Sequence, residues 1–145
     1  MIENPKLNAS GCHDITAYQA ICNVSREEKR HAKAKSTPEK IYVCSPFSGD
    51  TGQNIEKALE YCRFALKRGK FPIAPHCYLP RFMDDNNPDE RELAVSFGLR
   101  LLFGCQELWV FGSHISDGMQ REIHAARQRC IKIRQFTEKM DEIKP

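Results

Sequence analysis

From residue 40 to residue 136, short β-branched and aromatic segments alternate with longer segments whose apolar residues recur at helical spacing. Strands that alternate with helices are joined by right-handed crossovers, so they form a parallel sheet with helices on both faces. The alternation therefore predicts an α/β fold with three layers. The predicted strands are residues 41–47, 71–76, 107–112 and 130–136, and the predicted helices are residues 55–67, 89–103 and 119–129.

The number and order of these segments predict a three-layer Rossmann/flavodoxin-like sandwich with a small parallel sheet. We expect four strands in the order 2-1-3-4. Proline cannot donate a hydrogen bond to a neighbouring strand, so Pro72 and Pro75 favour an edge position for the second strand.

Residues 1–38 differ in character from residues 39–145, because they are polar and contain no strand-like apolar run. We interpret them as an accessory segment with a short helix at residues 16–24, which Asp14 could cap. The charged stretch that follows is expected to be solvated, as such stretches usually are. Residues 39–145 are predicted to form the α/β domain.

The composition is that of a water-soluble globular protein, with 41% hydrophobic and 28% charged residues. No apolar run approaches the roughly 18 residues of a spanning helix, and the first residues lack the pattern of a secretory signal. A cytoplasmic protein without membrane contacts is expected. The seven cysteines contain no CxxC pair and are interpreted as reduced thiols. The net charge of +3 is too small to favour a nucleic-acid polymer as partner.

In parallel sheets of this kind, ligands bind beyond the carboxyl ends of the strands, which selects residues 45–54, 76–89 and 112–122. The first loop, SPFSGDTGQN, offers hydroxyls, amides and a helix start to an anion, although a plain capped turn explains it equally well. It lacks the GK[ST] signature, which argues against a nucleotide triphosphatase.

The third loop places Glu122 about one turn into the predicted helix, and Gly118 before it allows a ligand to approach the backbone. A carboxylate in this position can attack the anomeric carbon of a sugar, while a second acid protonates the leaving group. The alternative is that Glu122 only stabilises the start of the helix.

The second loop contains Asp84 and Asp85, which could bind ribose hydroxyls, supply the general acid, or cap the next helix. Neither this aspartate pair nor His76-Cys77 has the ligand spacing of common zinc sites. We therefore expect no metal.

Four segments together resemble the nucleoside 2-deoxyribosyltransferase superfamily: IYVCSPFSGD, FMDD, CQELWVFG and SDGMQRE. The resemblance covers roughly residues 40–136 and is strongest to the small bacterial and phage members, which often carry a segment like NASG…TAY at residues 8–18. Ser116, Gly118 and Glu122 match the spacing of the serine, glycine and nucleophilic glutamate in the nucleotide-hydrolysing branch of that superfamily.

The resemblance implies a role for each candidate site residue, and Ser116 and Gly118 are among those expected to bind the substrate. Glu122 would attack C1′ of a nucleoside or nucleoside 5′-monophosphate, and Asp84 or Asp85 would orient the sugar or protonate the base. By the same resemblance, the pocket would be lined, or a 5′ phosphate held, by Tyr42, Ser45 and the turn at Ser48 and Gly49. The implied activity is cleavage of the N-glycosidic bond or deoxyribosyl transfer, without a cofactor and within a homo-oligomer.

Two departures from the superfamily keep other functions open. Gln106 and Gly112 stand before and after the third strand, where these enzymes usually carry acidic residues. The alternative is a catalytically silent nucleotide-binding module. A third hypothesis is an assembly protein whose basic segment, residues 26–40, docks a partner.

Overall fold

The computed structural model describes residues 15–145, and side chains are described from residue 19, except those of residues 30–36. The chain divides after Thr37 into two compact units. In the first unit, helix α1 (Ile15–Ser36) is longer than the predicted helix at residues 16–24. The charged residues 26–35 are mostly good helix formers, which explains the extension. The predicted cap, Asp14, lies outside the described residues.

The second unit contains a five-stranded sheet in the order β2-β1-β3-β4-β5. The first four of its strands in chain order are parallel, and β5 pairs antiparallel with β4. The α/β fold and the predicted order 2-1-3-4 are confirmed. The elements are β1 (Lys40–Cys44), α2 (Thr51–Lys67), β2 (Phe71–Ile73), two 3-10 turns (Pro75–Cys77 and Leu79–Arg81), α3 (Pro88–Phe103), β3 (Glu107–Phe111), α4 (Asp117–Gln128), β4 (Lys132–Phe136) and β5 (Glu142–Ile143).

The predicted count of four strands is wrong, because β5 extends the sheet beyond β4. The added strand is only two residues long, and it pairs Ile143 with Gln135 and Glu142 with Phe136. The Arg134 guanidinium donates two hydrogen bonds of 2.7 Å to the Glu142 carboxylate. This bidentate ion pair holds β5 on the sheet. No local apolar pattern in the sequence predicts β5.

The two faces of the sheet carry separate cores, because alternate residues of a strand point to opposite faces. Tyr42 and Cys44 of β1 join the core on the side of α3 and α4. Ile41 and Val43 join the core on the side of α2, where Trp109 contributes the largest fully buried side chain. The chain therefore forms the predicted three layers, with β1 and β3 in the middle of the sheet.

Prolines shorten the first two strands relative to the prediction. β1 ends at Cys44, before Pro46, and β2 ends at Ile73 because Pro75 begins a 3-10 turn. Both strands therefore end before the predicted residue, and the residues that follow them form loops beyond the carboxyl edge of the sheet. β2 lies at the edge of the sheet, as its prolines indicate. Among the described helices, none is both long and apolar enough to cross a membrane.

Candidate functional site

A cavity of about 320 Å³ lies beyond the carboxyl ends of the parallel strands, between the loops that follow β1, β2 and β3 and the helices α3 and α4. The structure brings most of the predicted site residues together around it. Gly49 is the exception, because it does not line the cavity. The predicted residues that line it are Tyr42, Ser45, Ser48, Asp84, Asp85, Ser116, Gly118 and Glu122.

A side chain of β1 donates a hydrogen bond to Glu122. The Tyr42 hydroxyl donates a hydrogen bond of 2.7 Å to Glu122 Oε1, and Tyr42 itself is fully buried. Burial raises the pKa of the Glu122 carboxyl, while hydrogen bonds from Cys44 and Tyr42 oppose that rise. Burial, together with the nearby Glu122, also raises the pKa of the Tyr42 hydroxyl, which therefore stays a donor at neutral pH. Tyr42 and Cys44 thus orient the carboxylate on the floor of the cavity.

Gly98 provides the space that the Tyr42 hydroxyl occupies. A Cβ built at this position of α3 would lie 3.2 Å from Tyr42 Oη, which is tighter than ordinary side-chain packing. The glycine therefore permits the tyrosine to reach Glu122. Sequence reasoning missed Gly98, because a glycine inside a helical pattern carries no signal about which side chain crosses it.

The start of α4 determines where Glu122 enters the cavity. Ser116 is the N-cap residue, and its side chain accepts a hydrogen bond of 3.3 Å from the Met119 backbone amide. Glu122 lies in the second turn of α4, beyond the first-turn positions where a carboxylate stabilises a helix start. A Cβ at Gly118 would meet Ser116 Oγ at 3.9 Å, an ordinary contact. Packing within the protein therefore does not require this glycine.

The two aspartates of the second loop lie at the exposed rim of the cavity. Asp84 Oδ1 accepts a hydrogen bond of 2.9 Å from the Asn86 amide, and Asp85 lies 3.9 Å from Arg91 Nε. The N-cap residue of α3 is Asn87, so neither aspartate caps that helix. Both residues line the cavity.

The Ser45 side chain connects the first loop to the second through a hydrogen bond. Its hydroxyl lies 3.0 Å from His76 Nε2, and Ser45 is buried. Burial lowers the pKa of His76 to about 4, so the ring is neutral at neutral pH. His76 lines the cavity and was not among the predicted site residues, although its position just after the predicted second strand was a usable signal.

The first loop is held in shape by hydrogen bonds from its own side chains. Asn54 Nδ2 donates to the carbonyl oxygens of Phe47, at 3.2 Å, and Ser48, at 3.0 Å. Asp50 caps α2 through a hydrogen bond from the Gln53 amide. Gly49 adopts φ +101°, a conformation that favours glycine, so its role here is to turn the chain.

Charged residues beyond the predicted set also line the cavity. Arg91 and Arg121 are both exposed at its wall, and Glu90 accepts a hydrogen bond of 2.6 Å from the Asp84 amide. Among the side chains that the structure describes, no group of three or more histidine, cysteine, aspartate or glutamate residues could hold a metal ion. The cavity therefore combines one enclosed carboxylate with a polar and partly cationic rim.

The fold and the site define a three-layer α/β protein with an enclosed carboxylate beyond the carboxyl edge of its sheet. The chain belongs to the family described as "Domain of unknown function (DUF7768)", whose pattern matches residues 39–136. A solved structure of a 2-deoxyribosyltransferase from the psychrotolerant bacterium Bacillus psychrosaccharolyticus is similar in fold. Its TM-score is 0.53 and its sequence identity is 19%, covering 68% of this chain and 72% of that chain. No curated protein matches the sequence significantly.

Proposed function

We propose that this protein cleaves the N-glycosidic bond of a nucleoside or nucleoside 5′-monophosphate, or transfers the deoxyribosyl group, with Glu122 as the nucleophile. The observation that carries the proposal is the hydrogen bond from Tyr42 to Glu122 Oε1 on the floor of the cavity. The distant likeness in fold to a 2-deoxyribosyltransferase supports it. That relative is described as a biocatalyst for the synthesis of antiviral and antitumoral nucleosides.

The proposed reaction begins when a carboxylate oxygen of Glu122 bonds to C1′ of the sugar as the bond from C1′ to the base nitrogen breaks. The departing base takes the electron pair of that bond and receives a proton from a general acid. Water or a second base then attacks C1′ and gives up a proton to the former general acid, and Glu122 leaves with the electron pair of the ester bond. Because Tyr42 holds Oε1, Oε2 is the oxygen that we assign to the attack.

Asp84 and Asp85 are the proposed partners of Glu122, either as the general acid or as acceptors for the sugar hydroxyls. Their position at the rim suits contact with the end of a substrate that faces solvent. The hydroxyls of Ser45, Ser48 and Ser116 are the proposed contacts for the 5′ end. The side chains of Leu79, Met83, Val95 and Leu99 provide apolar surface suited to a base.

Incubation of the protein with a panel of nucleosides and 5′-monophosphates, followed by chromatography of the free base, tests the proposal. We expect base release by the wild type and its loss in Glu122→Gln, which keeps the size of the side chain but removes the nucleophile. Glu60→Gln is the matched control, because Glu60 is exposed on α2. Base release that survives in Glu122→Gln would contradict the assignment of the nucleophile.

A catalytically silent nucleotide-binding module is the second candidate. Gln106, which stands where related enzymes have an acidic residue, uses its side-chain oxygen to accept a hydrogen bond of 2.7 Å from the Lys40 amide. The Gln106 side chain is therefore engaged in a hydrogen bond at the amino end of the sheet, away from the cavity. Binding of a nucleotide to both the wild type and Glu122→Gln, without base release by either, would favour this candidate.

A further inference from the structure

Two cysteines meet where α2 packs against the first 3-10 turn. Cys62 lies on α2, and Cys77 is the last residue of the turn Pro75–Cys77. Both side chains are partly buried and pack against the same core cluster on the α2 face of the sheet. Their thiols share a hydrogen bond. The fold thus holds two sulfur atoms side by side from positions fifteen residues apart in the chain.

We propose that Cys62 and Cys77 are a modification site, at which a peroxide converts the two thiols into a reversible disulfide. The inference is independent of the proposed function, because it concerns the α2 side of the loop and not the carboxylate of Glu122. A disulfide requires two sulfurs on neighbouring backbone segments with their side chains directed at each other. The packing of α2 against the turn supplies that arrangement.

The surroundings of the two thiols assign their roles. The hydrogen bond from Cys62 and the charge of Arg81 lower the pKa of Cys77, although burial opposes them. The same hydrogen bond and burial raise the pKa of Cys62. A thiolate is the form that attacks a peroxide, so Cys77 reacts first and Cys62 resolves the product.

The chemistry balances in two steps. The Cys77 thiolate attacks one peroxide oxygen, the oxygen–oxygen bond breaks, and the products are a sulfenic acid and hydroxide, which takes up a proton to give water. The Cys62 thiol then attacks the sulfenic sulfur, forms the sulfur–sulfur bond and releases the second water. Overall, two thiols are oxidised to one disulfide while one peroxide is reduced to two molecules of water.

The disulfide would join the 3-10 turn Pro75–Cys77, which lines the cavity, covalently to α2. Cys77 directly follows His76, which contacts Ser45 and lines the cavity together with Pro75 and Leu79. A covalent bond from Cys77 to Cys62 restricts the separation of this turn from the helix. We therefore expect oxidation to slow hydrogen exchange of the backbone amides in residues 76–83.

The experiment is treatment of the full-length reduced protein with hydrogen peroxide, followed by alkylation, tryptic digestion and mass spectrometry. We expect the peptides ALEYCR (residues 58–63) and FPIAPHCYLPR (residues 71–81) to be recovered as one cross-linked species that lacks two hydrogens. Reductant should restore both free peptides. Cys62→Ser and Cys77→Ser should each abolish the species, whereas the control Cys130→Ser, at an exposed cysteine, should retain it.

Recovery of both peptides unlinked, while peroxide has oxidised other cysteines, would overturn the proposal. The same holds if Cys77 is found joined to a cysteine other than Cys62. The wild-type peptide map decides this without the variants, so a variant that folds poorly leaves the test intact. Hydrogen exchange that is unchanged in the cross-linked protein would overturn the inferred effect on the cavity wall.

Discussion

Replacement of Tyr42 by phenylalanine tests the electrostatics of the cavity most directly, because it removes only the hydroxyl that donates to Glu122 Oε1 at 2.7 Å. A hydrogen bond to an ionised group contributes about 1.5–3 kcal/mol, whereas one between neutral groups contributes about 0.5–1.5 kcal/mol. Where Glu122 is ionised, we expect Tyr42→Phe to lower the free energy of unfolding by about 2 kcal/mol. For a domain of this size, that change lowers Tm by roughly 6–10 °C.

A double-mutant cycle isolates the contribution of the charge. In the Glu122→Gln background, Tyr42→Phe removes a neutral hydrogen bond and should cost about 1 kcal/mol, which gives a coupling energy of about 1 kcal/mol. Urea denaturation of the four proteins above neutral pH measures it. Tyr61→Phe, on the opposite face of the sheet, is the control and should show no coupling. Equal losses in both backgrounds would refute an ionised Glu122 held by Tyr42.

Three further predictions concern stability. Burial raises the folded-state pKa of Glu122, so the wild type loses stability relative to Glu122→Gln as the pH rises above the pKa of the carboxyl in the unfolded chain. The variant should therefore have the higher Tm at about pH 8, and the difference in Tm should vanish below about pH 4. Gly98→Ala, which places a Cβ 3.2 Å from Tyr42 Oη, should lower the free energy of unfolding by about 1–3 kcal/mol and reduce the coupling of Tyr42 to Glu122 in the same cycle. Arg134→Met removes the bidentate contact to Glu142, so the Tm of the variant should be slightly lower, and hydrogen exchange should become faster in β5.

The parallel sheet could be predicted from the sequence because strands that alternate with helices are joined by right-handed crossovers, and the order 2-1-3-4 is one of the few orders that such crossovers allow. β5 could not, because its place on the sheet depends on Arg134 reaching Glu142, eight residues further along the chain. Strand ends were extended too far for a related reason. Phe47 and Ala74 continue an apolar pattern, but Pro46 and Pro75 interrupt the backbone hydrogen bonding that a strand needs.

The loops around the cavity could also be predicted, since the carboxyl ends of parallel strands meet at one edge of the sheet. Strand alternation places Tyr42 and Cys44 on the same face, but it does not tell which helix covers that face or which carboxylate meets the tyrosine. The raised pKa of Glu122 and the lowered pKa of His76 both have burial as their largest cause, and burial is a property of tertiary packing. The protonation states on which any chemistry at this site depends therefore follow from how the loops and α4 pack over the sheet. The double-mutant cycle measures one product of that packing, the coupling energy between Tyr42 and Glu122.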